Sequence, residues 1–222
     1  MLTMEAARVE QLARSMRAIE AAFLVGVEGV SEVWLVRHGD CYEGLTETED
    51  PPLSPLGREQ AQRLAERVQR MGAAAVYSSP FRRALETAQA ITPDVTVDER
   101  LREIGLGWEP APDPKAVAES SLNRYVEFNE PPDEVIARMR AVVEEAEKRH
   151  CGERIVMVSH GGAIIAYLSD VMRLEFGSLR LLPLYTSVSV VRIKDGRRMV
   201  GSLADLSHLE PDMTSARLPA QG

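Results

Sequence analysis

Cysteine is scarce in this chain: Cys41 and Cys151 are the only two among 222 residues, and they form no CxxC pair. A secreted disulfide framework is therefore not expected, and a reducing, cytoplasmic location is predicted. No apolar run approaches the length of a membrane span. Charged residues are spread through the first twenty positions, which is unlike a signal peptide, so neither membrane insertion nor a cleaved leader is expected.

An excess of positive charge is also lacking. The formal net charge is −8 at pH 7, which argues against nucleic acid or an acidic membrane surface as a partner. The hydrophobic fraction of 45% and the charged fraction of 27% are typical of a globular chain, and a chain of this length can bury a full core without disulfides or metals. An anionic substrate would need a local basic pocket set against the overall charge.

Histidine is present at only four positions, yet two of them occupy the same kind of place. The segment VWLVRHGD (33–40) is an apolar run that stops at His38-Gly39, and RIVMVSHGG (154–162) stops in the same way at His160-Gly161. Both runs are predicted strands, so both histidines follow the carboxyl end of a strand. The glycines that follow allow the backbone to approach a ligand closely.

Predicted strands alternate with predicted amphipathic helices along the chain. This order predicts an α/β fold, a three-layer α/β/α sandwich around a mostly parallel central sheet. Ser54 and Pro55 are suited to begin one helix, Asp195-Gly196 favours a hairpin turn, and residues 115–129 are predicted to be helical. Ligands bind outside the carboxyl ends of parallel strands, so His38 and His160 are expected to face one crevice if their strands are neighbours.

The N-terminal segment is predicted to be an extra helix, from Met4 to Leu24. It carries an apolar stripe with heptad-like spacing, formed by Val9, Leu12, Met16, Ile19 and Phe23. Such a stripe usually packs on the protein's own core, which is the first interpretation. A homodimer through this helix is the second, because the spacing is also that of a helix pair.

Several chemistries fit poorly around Arg37, His38 and His160. Zinc takes three or four ligands, and an arginine is an unfavourable neighbour for a dication. The chain contains no GxSxG and no GxxxxGK, and Met157 stands where a cysteine phosphatase starting at Cys151 would need arginine. Phosphoryl transfer fits better, because guanidinium groups match phosphoryl oxygens and a neutral imidazole can attack phosphorus.

Six motifs, taken in order, together resemble the histidine phosphatase superfamily, which includes the cofactor-dependent phosphoglycerate mutases. The resemblance covers about residues 32–208. The motifs are RHG (37–39), DPPLSPLGREQA (50–61), SSPFRRALETA (78–88), LREIGLGWE (101–109), SHGG (159–162) and SLADLSHL (202–209). The resemblance implies a phosphoglycerate mutase-like fold with a catalytic domain at 31–210. Outside this domain, we predict a helical extension at 1–30 and a flexible tail at 211–222.

The resemblance also implies a role for each site residue. His38 would be the phosphorylated nucleophile, while Arg37, Arg83 and His160 would hold the phosphoryl oxygens. Gly39 and Gly161 would complete the substrate-binding backbone. Glu103 would be the proton donor, and Glu109 is the alternative for that role.

No metal or cofactor is implied, because arginines would supply the positive charge. The expected function is a metal-independent phosphomonoester hydrolase acting on a small-molecule phosphate ester. The segment between Glu103 and Asp133 is short and offers only Lys115 and Arg124 as basic residues, and Pro110 changes the family's frequent WEG to WEP; both features favour a phosphatase over a phosphoglycerate mutase. A mutase and a non-catalytic phosphate-binding or scaffold protein remain the alternatives.

Overall fold

A computed structural model describes residues 4–41, 50–107 and 127–214 of the chain. Five α-helices lie in these ranges: α1 (Met4–Ala22), α2 (Pro55–Met71), α3 (Arg82–Ile91), α4 (Pro132–Arg149) and α5 (Gly161–Val171). Eight strands accompany them: β1 (Ser31–Arg37), β2 (Ala75–Ser78), β3 (Thr96–Val97), β4 (Leu106–Gly107), β5 (Glu127–Phe128), β6 (Arg154–Ser159), β7 (Val188–Lys194) and β8 (Arg197–Asp205).

Six of the strands form one sheet in the order β3-β2-β6-β1-β7-β8. The pairs β3-β2, β2-β6 and β6-β1 are parallel, whereas β7 and β8 add an antiparallel edge. The expected mostly parallel sheet is therefore confirmed. The helices between the parallel strands serve as crossover connections, which bring the carboxyl ends of β1 and β6 side by side.

Two apolar clusters cover the two faces of the sheet and make the fold three-layered. Along β1, Val33 and Leu35 point to one face while Trp34 and Val36 point to the other, as the period of a strand requires. The first face packs on α4 and α5, and the second packs on α2 and α3. Because the middle of β1 is buried on both faces, its residues 33–36 are continuously apolar rather than alternating.

Local signals in the sequence set several element ends as expected. The Ser54 hydroxyl caps α2 by accepting a hydrogen bond from the Gly57 amide at 2.9 Å, and Pro55 is the first helical residue. In the β7–β8 turn, Asp195 and Gly196 adopt φ angles of 50° and 72°. Both values are positive, as a type I′ hairpin requires.

The interpretation that the α1 stripe packs on the protein's own core is wrong. All five stripe side chains are exposed: Val9 63%, Leu12 63%, Met16 48%, Ile19 53% and Phe23 57%. The helix meets the rest of the molecule at its carboxyl end, where Arg197 donates a hydrogen bond to the Ala22 carbonyl and Leu24 is buried. An apolar periodicity shows which face seeks burial but not what provides it.

The helix predicted for residues 115–129 lies mostly outside the described residues. Its last part is wrong, because Glu127–Phe128 is a strand that pairs antiparallel with Leu106–Gly107. The predicted tail at 211–222 is described only to residue 214, and the division into three regions stays a prediction. No helix in the described ranges is long and apolar enough to cross a membrane.

Candidate active site

The parallel pairing of β1 with β6 brings the two strand-end histidines together. Arg37 is the register partner of Ser159, and the His38 amide donates to the Ser159 carbonyl at 3.0 Å. The imidazole ring centroids of His38 and His160 are 5.1 Å apart, and both residues are buried. The two rings can therefore contact one small ligand at the carboxyl edge of the sheet.

The hydrogen bonds of His38 identify its protonation state. Nδ1 lies 2.8 Å from the Gly39 carbonyl oxygen, which only accepts, so Nδ1 carries the proton. Nε2 is left with a lone pair and accepts a hydrogen bond from Arg83 Nε at 3.2 Å. Burial, followed by the charges of Arg37 and Arg83, holds the pKa of His38 well below its ordinary value. A neutral imidazole with an unprotonated nitrogen can act as a nucleophile.

The His160 ring is hydrogen-bonded to a hydroxyl group, whereas the His38 ring is hydrogen-bonded to a carbonyl oxygen. Its Nε2 lies 2.8 Å from the Ser79 hydroxyl, and its Nδ1 faces Arg83 Nη2 at 3.3 Å. Since the guanidinium only donates, Nδ1 accepts and Nε2 carries the proton in this state. Burial, followed by the field of His38 and Arg83, holds the pKa of His160 well below its ordinary value.

Arg83 lies between the two rings, in the first turn of α3. Its guanidinium reaches His38, His160 and the Asp50 carboxylate, the last at 3.4 Å, and it lies over the Phe81 ring at 4.9 Å. The neighbouring Arg82 lies on the exposed side of α3, where its Nε donates to Glu86 Oε1 at 2.7 Å. Of the two consecutive arginines, the structure brings Arg83 to the histidines.

Arg37 approaches the same space from the end of β1. Its guanidinium carbon lies 4.2 Å from the centroid of the Tyr185 ring, and Nη1 donates to the Pro183 carbonyl at 2.8 Å. Its Nε is buried and has no hydrogen-bond partner within the described part of the chain. A buried donor without a partner costs free energy that a ligand oxygen would restore.

Glu103 lies against the amino end of α5. Its carboxylate accepts hydrogen bonds from the amides of Ile104 at 2.9 Å, Ala163 at 3.0 Å and Gly162 at 3.3 Å. These bonds favour the ionised form, but burial is the larger effect and raises the pKa of Glu103 above its ordinary value. The carboxyl group is therefore both oriented and biased towards keeping a proton.

The three glycines of the site differ in whether close packing requires the residue to be glycine. A Cβ on Gly162 would lie 2.4 Å from Ile104 Cγ2 and 2.8 Å from Glu103 Oε1, whereas on Gly161 it would meet Arg37 at an ordinary 3.7 Å. A Cβ on Gly39 would lie 2.7 Å from the Gly57 carbonyl oxygen. Gly39 and Gly162 are thus required by close packing, while Gly161 is not.

The sequence did not reveal several groups that support these side chains. They are Ser79, Asp50, Tyr185, the Pro183 carbonyl, and Thr87, whose hydroxyl accepts from the Gly39 amide at 3.0 Å. A weak signal existed for Ser79 and Thr87, which belong to the SSPFRRALETA motif. Tyr185 and Pro183 are far from the motifs in sequence, and only the fold places them at Arg37.

Other predicted candidates lie outside the described residues, namely Glu109, Lys115 and Arg124. No group of three or more histidine, cysteine, aspartate or glutamate side chains in the described ranges could hold a metal ion. The site that is described combines two guanidinium groups with two neutral imidazoles. This set of donors is suited to an anion with several oxygens, and a phosphoryl group is such an anion.

The fold and the site together define an α/β protein with a histidine–arginine anion site at the carboxyl edge of its sheet. The chain belongs to the histidine phosphatase superfamily (branch 1), whose family model matches residues 33–206. The expected family and the expected phosphoglycerate mutase-like fold are both confirmed.

Similar proteins carry both phosphatase and mutase names. A metal-independent phosphoserine phosphatase of Arabidopsis thaliana is 32% identical over 206 residues, covering 81% of this chain and 84% of that protein. The phosphoglycerate mutase-like protein 4 of the same plant is 34% identical over 203 residues, covering 81% and 87%. The solved structure of Bacillus stearothermophilus YhfR superposes with a TM-score of 0.68 at 27% identity, covering 81% of this chain and 100% of that one.

Proposed function

We propose that this protein is a metal-independent phosphatase that hydrolyses a small phosphomonoester through a phosphohistidine on His38. The observation that carries the proposal is the state of the His38 ring: Nδ1 is anchored to the Gly39 carbonyl and Nε2 presents its lone pair towards Arg83. A neutral imidazole fixed in this way can attack phosphorus at Nε2 without first losing a proton.

Binding would use the two arginines and the second histidine. The phosphoryl oxygens would take the hydrogen bonds that Arg83 now gives to the rings, and Arg37 Nε would gain the partner that it lacks among the described residues. The amides of Gly39 and Gly161 are proposed to border the same space. A phosphoryl dianion would favour a proton on Nδ1 of His160, and the Ser79 hydroxyl can pair with Nε2 in either state because it both donates and accepts.

Transfer would then proceed in one displacement. The Nε2 lone pair of His38 forms the bond to phosphorus while the bond to the ester oxygen breaks, and Glu103 gives its proton to that leaving oxygen. The product alcohol departs, leaving a phosphoramidate on His38 and a carboxylate on Glu103. The two guanidinium groups would stabilise the charge on the equatorial oxygens.

Hydrolysis would reverse the proton movement. The Glu103 carboxylate takes a proton from an incoming water, whose oxygen bonds to phosphorus as the bond to Nε2 breaks. Inorganic phosphate leaves, and His38 returns to its neutral state with Glu103 protonated. Each residue thus ends the cycle as it began it.

The test is phosphate release from an aryl phosphate in the presence of excess chelator. Wild type should turn over, whereas His38→Ala and Arg83→Ala should lose activity by about three orders of magnitude, the scale at which the loss of a nucleophile or of transition-state charge stabilisation acts. Arg82→Ala removes an equal charge one residue away and should remain close to wild type. Full activity in His38→Ala would contradict the proposal.

A phosphoglycerate mutase is the second candidate, favoured by the relative named phosphoglycerate mutase-like protein 4. A mutase would move phosphate between positions of one substrate without net release, which a coupled isomerisation assay measures. Phosphoserine and 3-phosphoglycerate are the two esters to compare first, in view of the names of the two plant relatives. Binding without turnover of either would instead favour a non-catalytic role.

A further inference from the structure

Helix α1 stands apart from the rest of the molecule. From Ala6 onwards, none of its described side chains is buried. Its attachment lies at the carboxyl end, through the Ala22 carbonyl and Leu24. Most of the stability of a helix in a protein comes from packing of its apolar face rather than from the helix itself. The helix is therefore expected to find a packing partner.

The exposed apolar area of the α1 stripe is about half of the area that a small specific protein–protein interface buries. Its five side chains expose between 48% and 63% of their surface, which amounts to an apolar face on the order of 500 Å². Two such faces would bury about 1,000 Å², the lower bound for a specific interface. The other side of the helix is solvated and internally paired, since Glu10 and Arg14 form a 2.7 Å ion pair.

We propose that the partner is α1 of a second copy, packed antiparallel. In this arrangement Leu12 faces Met16 of the second copy and Val9 faces Ile19 of the second copy, so the stripe is complementary to itself. Residues that flank this core at its centre are small, Ala13 and Ser15. Small flanking residues allow the two helix axes to approach closely.

The charges next to the stripe favour the antiparallel direction. Arg8 would lie beside the carboxyl end of the second helix, and Glu20 would lie beside its amino end. Each charge would then complement the dipole of the helix that it approaches. In a parallel pair, Glu20 would instead lie near two carboxyl ends, where negative charge is unfavourable.

The proposed pairing leaves the catalytic site accessible. Helix α1 leads into the amino end of β1, whereas His38 follows the carboxyl end of the same strand. The two ends of a seven-residue strand are about 20 Å apart. Loss of the dimer should therefore leave the activity of each protomer unchanged.

The first experiment measures mass in solution. Wild type should be found at twice the 24.5 kDa of one chain in sedimentation equilibrium, with dissociation on dilution. Leu12→Glu combined with Ile19→Glu should shift it to one chain. The control is Gln11→Glu combined with Ala18→Glu, which adds the same charge to the polar side and should remain dimeric.

Phosphatase activity per protomer, measured on the same samples, reports that the body of each variant is folded. A wild type of one chain's mass at every concentration would overturn the proposal, whether or not the stripe then bound vesicles or another protein. A Leu12→Glu/Ile19→Glu variant that remained dimeric would overturn it as well.

The second experiment tests direction by disulfide cross-linking in a Cys151→Ser background, which removes the exposed native thiol. Val9→Cys and Ile19→Cys chains, oxidised separately, should give no covalent dimer. A mixture of the two should give one on a non-reducing gel, because residue 9 then faces residue 19. Cross-linking of Val9→Cys alone would show a parallel pair and overturn the antiparallel arrangement.

Discussion

His38 and His160 differ at the residue scale in the groups that hold their outer nitrogens. The Gly39 carbonyl can only accept, so His38 has one neutral tautomer, with Nε2 unprotonated. The Ser79 hydroxyl can accept or donate, so His160 can carry its proton on either nitrogen. This difference suits a nucleophile at position 38 and an adaptable phosphoryl contact at position 160.

The Glu103→Gln variant should lose much more activity on an ester with a poor leaving group than on an ester with a good one. Release of an alcohol from phosphoserine needs a proton, so activity on that ester should fall by about 10²–10⁴-fold. Release of 4-nitrophenol needs little help, so activity on the aryl ester should fall far less. The measurement is kcat/KM for both esters in wild type and variant.

The pH dependence of activity also tests the role of Glu103 as the proton donor. Burial raises the pKa of Glu103, and the donor must be protonated, so wild-type activity on phosphoserine should decline as pH rises through that pKa. Glu103→Gln should lack this alkaline decline. Equal losses on both esters, with the decline intact, would exclude Glu103 as the proton donor.

Two adjacent glycines offer a sharp steric comparison. Gly162→Ala places a Cβ 2.4 Å from Ile104 Cγ2 and 2.8 Å from the Glu103 carboxylate, which forces the carboxyl group to move. It should lower the free energy of unfolding by about 1–3 kcal/mol and reduce activity on phosphoserine. Gly161→Ala meets only ordinary contacts and should fold at least as stably as wild type. Urea unfolding measures both, and equal effects would contradict this account of the α5 amino end.

The candidate site residues could be predicted from the sequence where they belong to a motif. The residues that pack against them or hydrogen-bond to them could not. His38, Arg83, Glu103 and His160 belong to motifs, and the structure places all four at one edge of the sheet. Tyr185 reaches Arg37 because β7 pairs with β1 across a long sequence separation. No local pattern encodes such a contact.

At the scale of elements, the start of α2 links a helix cap to the site. The buried Ser54 hydroxyl accepts from the Gly57 amide and donates to Asp40 Oδ2 at 2.6 Å. Asp40 follows His38-Gly39 in the chain, and its amide donates to Gln60 in α2. The amino end of α2 therefore fixes the loop that carries the nucleophile.

Ser54→Ala should lower the free energy of unfolding by about 1–2 kcal/mol, because it removes a cap and leaves the Asp40 carboxylate without its hydroxyl partner. Ser178→Ala, at an exposed position, is the control and should change the free energy of unfolding by less than about 0.5 kcal/mol. Chemical denaturation measures both variants. A Ser54→Ala protein as stable as wild type would contradict the role of this cap.

Where the end of a helix or strand is set by the residues at that point of the chain, it could be predicted from the sequence. Ser54-Pro55 begins α2 and Asp195-Gly196 forms the hairpin turn, since each dipeptide favours one backbone geometry. The sequence predicts a helix rather than the strand at Glu127–Phe128, because the pairing of this strand with Leu106–Gly107 is a tertiary contact. The spacing of the apolar stripe on α1 likewise shows which face of the helix is apolar but does not identify what packs against it.

At the scale of the whole molecule, three histidines should couple stability to pH. Burial lowers the pKa of His38 and His160 well below 6.5 and that of His208 to about 4. Below about pH 6.5 the unfolded chain therefore binds protons that the folded chain does not bind. The free energy of unfolding decreases as pH falls. Each side chain adds up to about 1.4 kcal/mol per pH unit to this loss.

Urea unfolding at pH 7, 6 and 5 should show this decline, and His208→Gln should make it shallower without touching the catalytic site. Carboxylates with lowered pKa values, such as Asp98 and Asp170, contribute only at lower pH, because their unfolded pKa values lie near 4. A free energy of unfolding that stays constant between pH 7 and 5 would contradict the neutral, buried state of these rings.

The strand order of the whole sheet could not be read from the sequence, although its class could. Alternating strands and helices indicated a mostly parallel sheet, but the placement of β6 between β2 and β1 follows from packing of the complete chain. That order is what makes His38 and His160 neighbours. The sequence predicted their meeting only on the condition that the two strands pair.

Rapid-quench trapping of the phosphoenzyme tests the central claim most directly. Protein mixed with substrate for milliseconds and quenched in alkali should carry one phosphate on the peptide that contains His38. Phosphorus NMR should place it on Nε2, because Nδ1 is committed to the Gly39 carbonyl. Phosphate on Nδ1 of His38, on another residue, or on none during active turnover would contradict the account.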